Sequence, residues 1–413
     1  MKTDFQRKID RVLGRQLALL LNVLVRIVGK LLRIDHSLDK DFKRIVVCKY
    51  KGMGSIIQST PLLQTLRKRY PNAHITFVST VSNKGILQKI DIIDEVLYLS
   101  DKNMLSLGKS IWSLLWKMWR RKPELYIDLE VYSNFSSLIT TMSMAKNRIG
   151  FYLRSTHYRL GTYTHMMFFN NVLPISSIYL QVARLLNCNE YIADLYPLQS
   201  SHTTYTDTLI QIGLKGEKPF VAINPNASDL RLERRWSASK FQALIENLRL
   251  NFPDYQLVLL GAPAEAAYVA EVYQKFTSDD MVLNIAGKTN IEELIFVIDH
   301  ANMMITNDTG PMHIAFATET TTVSLYGPSN SDHYGHYKNN YVVQKALYCS
   351  PCIHEFELSP CNGNNQCMQL IGVEDVMKEV MQAVEDMKNG GQINKKTNII
   401  YDTGKGVLGL VTR

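Results

Sequence analysis

The octapeptide Thr306-Asn307-Asp308-Thr309-Gly310-Pro311-Met312-His313 stands between two segments of opposite character. Asn302–Ile305 before it reads as a short buried strand, and Ile314-Ala315-Phe316-Ala317 after it continues as a helix. Pro311 falls in the first helical turn, where its missing N–H costs nothing. Asp308 or Thr309 is placed to cap that helix, and Gly310 lets another group approach the backbone closely. A capped helix start with outward N–H groups is a ready phosphate site. Thr321–Tyr326 is a further strand and ends in Gly327-Pro328-Ser329. Strand, phosphate-type turn, helix, strand and Gly-Pro turn make up half of a nucleotide-binding α/β domain.

The same alternation extends outward from this turn. Upstream run strand Phe220–Asn224, helix Ala238–Leu250, strand Gln256–Leu260, helix Ala264–Phe276, strand Val282–Ile285 and helix Ile291–His300. Earlier still, Arg44–Tyr50 has the continuous apolar run of a buried parallel strand. It ends at Lys51-Gly52-Met53-Gly54-Ser55, and a helix is expected from Ile56 to Arg69. His74–Ser79, Glu95–Leu99 and Leu125–Leu129 are further short strands, with helical spacing over Leu105–Trp119 and Phe135–Met144. The class is α/β: two doubly wound halves joined near residues 190–215, with ligands expected in a cleft between the carboxyl ends of the two sheets. Val373–Met387 is a closing amphipathic helix. The predicted organisation is a basic amphipathic helical segment over 1–42, an N-terminal Rossmann-like domain over 43–200, a C-terminal one over 201–388, and a loose tail over 389–413.

At 413 residues the chain is long enough for two full cores. Its composition, 46% hydrophobic and 20% charged, is that of a globular protein. The net charge of +8 is unevenly spread: residues 1–34 hold eight Lys or Arg against Asp4 and Asp10, leaving +6 in one segment. That segment also carries a run of Leu, Val and Ile from Leu17 to Leu32. Arg15, Asn22, Arg26 and Lys30 break the run too often for the roughly 20 mostly apolar residues of a membrane span. No small-residue cleavage site marks it as a signal peptide. A basic amphipathic helix on an anionic cytoplasmic leaflet is expected, with packing on the body of the protein as the alternative. No basic–aromatic stripe or nucleic-acid motif occurs elsewhere, so nucleic acid is not an expected partner.

Cys48 and Cys188 read as lone buried thiols. Cys349, Cys352, Cys361 and Cys367 form a C-x2-C-x8-C-x5-C cluster in a loop rich in Pro, Asn and Gly. Its spacing is shorter than that of common zinc ribbons, so a metal knot and plain structural thiols stay open. Gly52-x-Gly54 lacks the third glycine of a dinucleotide fingerprint, Ile57 standing there, so a nicotinamide cofactor is not expected. The second half is richer. Asn224-Pro225-Asn226-Ala227-Ser228 leads to Arg231, Arg234, Arg235 and Trp236, and a guanidinium fork suits a diphosphate. Glu265, just past another strand, is where a carboxylate can accept both hydroxyls of a ribose. Gly287-Lys288-Thr289 follows a third strand end.

Taken with Gly54-Ser55-x4-Thr60-Pro61, Arg148-Ile149-Gly150-Phe151, Arg234-Arg235-Trp236 and Tyr326-Gly327-Pro328-Ser329, these motifs resemble the heptosyltransferase family of bacterial glycosyltransferases (family nine). The resemblance spans about residues 44 to 375, in the family's order. It implies a GT-B fold, two Rossmann-like domains facing a central cleft, with the nucleotide sugar on the C-terminal one; the N-terminal basic amphipathic helix is extra. It also implies an inverting, metal-independent transfer with no cofactor beyond its nucleotide-sugar donor. The expected donor is ADP-heptose, and the expected acceptor is a lipopolysaccharide core or similar lipid-linked saccharide, at the cytoplasmic face of the inner membrane. By position, Arg234 is similar to the family's residue on the diphosphate, Glu265 to its ribose carboxylate and Thr289 to a residue near the base. Asp308, Thr309, Gly310 and His313 match the turn that clasps the donor's phosphates and sugar.

One departure concerns the chemistry. The family has Asp, its general base, after the glycine of the first turn, and here that position is Ser55. A serine hydroxyl is no base at neutral pH without help, whereas a carboxylate is. Glu130, in Asp128-Leu129-Glu130-Val131-Tyr132, is expected to take the role, with Asp128 as its rival. The alternatives are a family member that binds a nucleotide sugar without transferring it, and a transferase with another donor. A nucleotide-sugar epimerase is disfavoured, since no Tyr-x-x-x-Lys pair sits where that redox chemistry needs it.

Overall fold

The computed structural model describes residues 10–100, 102–198, 210–215, 218–227, 231–353, 359 and 361–389, with backbone strands at 399–401 and 408–410. Two compact units result, one of Met1–Ser200 with Asn290–Ile295 and one of Ser201–Thr289 with Phe296–Arg413.

The first unit is built on strands β1 (Arg44–Cys48), β2 (His74–Thr80), β3 (Glu95–Leu99), β4 (Leu125–Asp128), β5 (Asn147–Tyr152) and β6 (His165–Phe168). They form one sheet in the order β3-β2-β1-β4-β5-β6, every pair parallel. Ile45, Val47, Ile75, Phe77, Tyr126 and Ile127 are fully buried, as the unbroken apolar runs require of a sheet covered on both faces. The second unit repeats the plan with β7 (Phe220–Asn224), β8 (Gln256–Leu259), β9 (Val282–Asn284), β10 (Met303–Asn307), β11 (Thr322–Tyr326) and β12 (Asn340–Gln344). Their order is β12-β11-β10-β7-β8-β9, again all parallel. Trp236, Phe241, Leu244, Leu248, Val376 and Val380 pack over its core. Each sheet reverses direction next to its first strand: between β1 and β4 in the first unit, between β7 and β10 in the second. Those are the switch points at which doubly wound folds place their ligands.

Three strands and one helix carry weak sequence signals and were not expected: β5, β6, β12 and the helix Ile175–Leu185. Gly150 sits mid-strand because Tyr163 lies against it; a Cβ there would be 2.4 Å from the tyrosine ring. The helix expected from Ile56 to Arg69 is two pieces, Met53–Ile57 and Thr60–Arg69. Ser59 and Thr60 cause the break by donating their hydroxyls back to the carbonyls of Ile56 and Ile57, each at 2.7 Å. The expected Ala264–Phe276 helix is likewise a 3₁₀ turn at Pro263–Glu265, a helix at Ala266–Tyr273 and a closing 3₁₀ turn at Gln274–Phe276.

The N-terminal helix Arg15–Leu32 forms as expected, but one part of its reading needs correction. By length and composition alone, Val12–Leu32 suffices to cross a membrane, with a mean hydropathy of 1.6 despite Arg15, Asn22, Arg26 and Lys30. The expected loose tail lies largely outside the described residues, although Ile399–Tyr401 and Leu408–Leu410 pair as an antiparallel ribbon.

Candidate active site

In the second unit, asparagines fasten the switch point. Asn224, closing β7, donates its amide to the hydroxyls of Thr306 (3.0 Å) and Thr309 (2.8 Å). Asn226 donates to Asn224 Oδ1 and to the carbonyl of Leu260, while Asn307 donates to the carbonyls of Pro225 and Asn226. The ends of β7, β8 and β10 are thereby tied into one rigid rim. Above it starts the helix Gly310–Ala317, with Pro311 in its first turn. Thr309 is its N-cap by position, yet no side chain caps it, contrary to the expectation for Asp308 or Thr309: the Thr309 hydroxyl is held by Asn224 instead. The helix start therefore keeps its positive end unneutralised by any cap.

Arg234 meets this turn. Its guanidinium lies 3.4 Å from Asp308 Oδ2 and 3.4 Å from the Asp308 carbonyl, with side chains only 19% and 3% exposed. Burial pushes the His313 pKa down to about 4, and Arg234 adds to this while Asp308 opposes it, so His313 is neutral at physiological pH. Four buried polar atoms around these strand ends have no hydrogen-bond partner: Asn226 Oδ1, Arg234 Nε, Asp308 Oδ2 and Ser329 Oγ. Buried polar groups are nearly always paired, so a cluster of exceptions calls for an explanation. Two acceptors, one cationic donor and a hydroxyl form the complement of a ligand carrying both sugar hydroxyls and phosphate.

The other expected residues of this unit follow β8 and β9. Glu265 ends its 3₁₀ turn and accepts the Ala262 N–H at 2.8 Å, which fixes one carboxylate oxygen. Thr289 is half-buried beyond Gly287, whose φ of +74° and hydrogen bond to Gly261 bring the two turns together. Arg235 does not join Arg234: its guanidinium stacks on the Tyr268 ring at 4.1 Å. Trp236 is wholly buried, its indole N–H on the carbonyl of Ile371. The loop carrying Arg234 is also held from behind. Ser359 donates to the Glu233 carboxylate, and Asn365 donates to the carbonyls of Glu233 and Arg235. Ser228 lies outside the described residues.

Cys349, Cys352, Cys361 and Cys367 line one cavity of about 390 Å³ beside this support. All are free thiols, and among the described residues no group of three or more His, Cys, Asp or Glu is arranged to hold a metal.

In the first unit, Glu130 and Lys49 pair across the switch point at 2.9 Å, with side chains 12% and 10% exposed. The second carboxylate oxygen of Glu130 accepts the N–H groups of Tyr50 (2.7 Å) and Lys51 (3.0 Å). Burial would raise the Glu130 pKa, but Lys49 and these amides outweigh it and hold the carboxyl below its usual range. Asp128 differs. It is almost fully buried and accepts from the Tyr163 hydroxyl at 2.7 Å and the Glu130 N–H at 2.9 Å, and its pKa is raised, chiefly by burial. Ser55 hydrogen-bonds Tyr179, a buried residue on which Lys49 and Glu130 also act electrostatically. Arg148, by contrast, spends its guanidinium on the carbonyls of Thr162 and Ala145 and is structural.

Sequence reasoning passed over Lys49, Tyr179, Asn224, Asn226 and Ser329 as site residues. Lys49 had a usable signal: a lysine directly continues the fully apolar Ile45–Cys48 run. Asn224 and Asn226 flank Pro225 immediately after a buried strand, which is also unusual. Ser329 was marked only as part of the Gly327-Pro328-Ser329 turn, without a role of its own, and Tyr179 had no such mark.

Comparison with known proteins agrees with this architecture. A curated relative, lipooligosaccharide heptosyltransferase 2 of Campylobacter jejuni serotype O:2, is 26% identical over 348 residues, covering 81% of this chain and 96% of its own. The protein of the same name from serotype O:6 is 31% identical over 172 residues, covering 40% of this chain and about half (52%) of the relative. Among solved structures, Escherichia coli ADP-heptose LPS heptosyltransferase II shares the fold, with a TM-score of 0.68 at 20% identity over 84% of this chain and 99% of that one. Residues 115–361, which run from the first unit through the Arg234 loop and the Asp308 turn, match a family profile; the chain is a glycosyltransferase belonging to glycosyltransferase family 9 (heptosyltransferase).

Proposed function

We propose that this enzyme transfers heptose from ADP-heptose to a lipopolysaccharide core or similar lipid-linked saccharide, with inversion and without a metal, at the cytoplasmic face of the inner membrane. The observation that carries the donor assignment is the set of buried polar atoms without a hydrogen bond on Arg234, Asp308, Asn226 and Ser329, one of which, Asp308 Oδ2, is held only by the 3.4 Å ion pair with Arg234. Arg234 and the uncapped helix start supply positive charge to the diphosphate, the task a divalent cation performs in other transferases. Asp308 accepts sugar hydroxyls, neutral His313 adds a ring nitrogen, and Glu265 and Thr289 serve ribose and base. The names of the relatives, which include ADP-heptose and lipopolysaccharide, support the choice of donor and acceptor.

For the chemistry, Glu130 accepts the proton of the acceptor hydroxyl. That oxygen forms the new bond to the anomeric carbon on the face opposite ADP, the bond from this carbon to the β-phosphate oxygen breaks, and ADP leaves with both electrons. Lys49 keeps Glu130 ionised, the form a base requires. Ser55, tied to Tyr179, orients the acceptor hydroxyl.

A second reading is motivated by Ser55 and by the three donors already engaging Glu130: the protein binds the nucleotide sugar without turnover. Thermal unfolding with ADP, UDP, GDP and CDP, then with ADP-heptose, separates the cases. Stabilisation by ADP and ADP-heptose alone supports the donor, about 2.7 kcal/mol at a hundredfold excess over Kd. Stabilisation by UDP or GDP instead discards ADP-heptose. ADP-heptose binding with no ADP released in the presence of lipid acceptor establishes the non-transferring reading.

A further inference from the structure

The N-terminal helix is docked on the first unit by its polar side. Asp10 accepts the N–H groups of Asn134 (3.0 Å) and Phe135 (2.6 Å), Asn22 donates to the carbonyl of Tyr158 at 2.7 Å, and Arg15 lies over the Tyr158 ring at 5.2 Å. Gly14 and Ala18 fill the close approach between them, and a Cβ on Gly161 would strike Asn22. Asp10, Gly14, Ala18 and Asn22 recur every four residues, so one stripe of the helix faces the protein. The opposite side, with Leu20, Val23, Leu24, Ile27 and Leu31, is exposed, Leu31 to 76%. A water-soluble helix turns its apolar side inward; this one does the reverse.

A second helix shares the arrangement. Met104–Arg121 buries Leu114, Leu115 and Met118 and exposes Leu105, Trp112 and Trp116, Trp112 to 63%. Lys109, Lys117 and Arg120 are interleaved with them on the exposed side. It connects β3 to β4, and Asn134–Met142 connects β4 to β5. Right-handed crossovers running in the same direction along the sheet put both helices on one face. Asn134–Met142 packs against both the N-terminal helix and Met104–Arg121, to which the Trp119 indole N–H ties it through the Met142 carbonyl. None of these three helices contains Asp or Glu; Arg15, Arg26, Lys30, Lys109, Lys117 and Arg120 lie on them, and Arg121, also there, is paired with Glu95 of β3.

From this we infer that the outer face of the first unit is a two-helix platform for an anionic lipid bilayer surface, with Trp112 and Trp116 seated at headgroup depth beside the docked helix. The inference deepens the membrane clause of the proposed function and rests on it. Acid-free basic charge selects an anionic surface, and tryptophan interleaved with lysine is the chemistry of the bilayer interface. A helix held through its first half by Asp10, Arg15 and Asn22 lies in the interface plane and does not span. Both helices frame the sheet carrying Glu130, so the platform fixes the height of that group above the lipid.

The test is co-sedimentation of the full chain with phosphatidylcholine vesicles, with and without about one third phosphatidylglycerol, alongside calorimetric ADP binding. Wild type is expected to bind the anionic vesicles alone and to be released by high salt or carbonate. The variant Trp112→Ser/Trp116→Ser is expected to bind about tenfold or more weakly with its N-terminal helix intact and ADP affinity unchanged. Leu20→Ser/Leu24→Ser/Ile27→Ser is expected to lose vesicle binding as well. An effect of the tryptophan pair below about twofold overturns the platform, leaving a lone helix. Resistance to carbonate overturns it in favour of a spanning helix, and a dimer that these substitutions dissociate overturns it in favour of a second copy. Loss of vesicle binding with ADP binding kept leaves the ADP-heptose reading standing; vesicle binding by a protein without ADP affinity overturns that donor reading alone.

Discussion

Replacing Arg234 by alanine separates two jobs that the guanidinium performs. In the free protein it faces Asp308 at 3.4 Å in a site where the carboxylate side chain is only 3% exposed. At an effective dielectric of about 20, that separation gives an attraction of about 5 kcal/mol before desolvation is subtracted. The pair is imperfect, because Asp308 Oδ2 lacks a hydrogen bond and Arg234 is 19% exposed. The expected loss of stability is therefore about 2–3 kcal/mol, below the 3–5 typical of breaking a well-formed buried pair. In the complex, Arg234 provides charge-assisted hydrogen bonds to phosphate, worth about 1.5–3 kcal/mol, and ADP affinity should fall roughly 10- to 150-fold. Arg234→Lys should restore most of the stability but less of the affinity, since an ammonium lacks the two-pronged geometry. Urea unfolding gives the first quantity and titration calorimetry with ADP the second. Destabilisation with an ADP Kd unchanged within about twofold would refute the donor role and leave Arg234 as a structural partner of Asp308.

Three other outcomes are expected. Glu130→Gln should lower turnover by about 10²–10⁴ while ADP affinity holds; because the Glu130 pKa is lowered, the acid limb of the wild-type pH–rate profile should lie below the ordinary glutamate range, and a limb near neutrality would assign the base elsewhere. His313, with a folded pKa of about 4 against about 6.5 unfolded, contributes stability that is complete above pH 6.5 and is lost as pH falls toward 4. The full loss is about 3 kcal/mol, about 2 kcal/mol of it by pH 5, and His313→Asn should flatten that difference in unfolding measured at pH 7.5 and pH 5. Gly150→Ala puts a methyl 2.4 Å from the Tyr163 ring and should cost about 1–3 kcal/mol, read as a lower Tm with ADP binding retained.

The fold was legible because parallel strands covered on both faces read as unbroken apolar runs; Phe220–Asn224 was found on that basis to the residue, and Met303–Asn307, expected as Asn302–Ile305, to within two. Two of the four edge strands, β6 and β12, escaped the same logic, whereas β3 and β9 did not. β6 is half-exposed and β12 is buried only at alternate residues, and their apolar stretches, Met166–Phe169 and Tyr341–Val343, are short. Helix boundaries failed where side chains compete for the backbone, as Ser59 and Thr60 do between the two helices after β1. In the second unit, the turn Asp308–Gly310 was legible as a strand-to-helix turn because the residues that make it are adjacent in sequence. Lys49 opposite Glu130 was not, because a pair separated by 81 positions is made by strand order alone. The expected cap on Gly310–Ala317 failed for a similar reason: Asn224, from another strand, claims the Thr309 hydroxyl.

The backing of the Arg234 loop has a consequence for the life of the nascent chain. Its clamps, Ser359, Asn365 and Ile371, follow the residues they hold by 126 to 135 positions. At about 10 residues per second the ribosome delivers them roughly 13 seconds after the loop itself. Until then the second sheet can assemble and every nucleotide-binding motif is already translated, yet the arginine lacks its footing. The profile-matching segment closes at residue 361, before Asn365 and Ile371. A message broken just beyond that point would encode every motif named above without the Asn365 and Ile371 groups that hold the Arg234 loop.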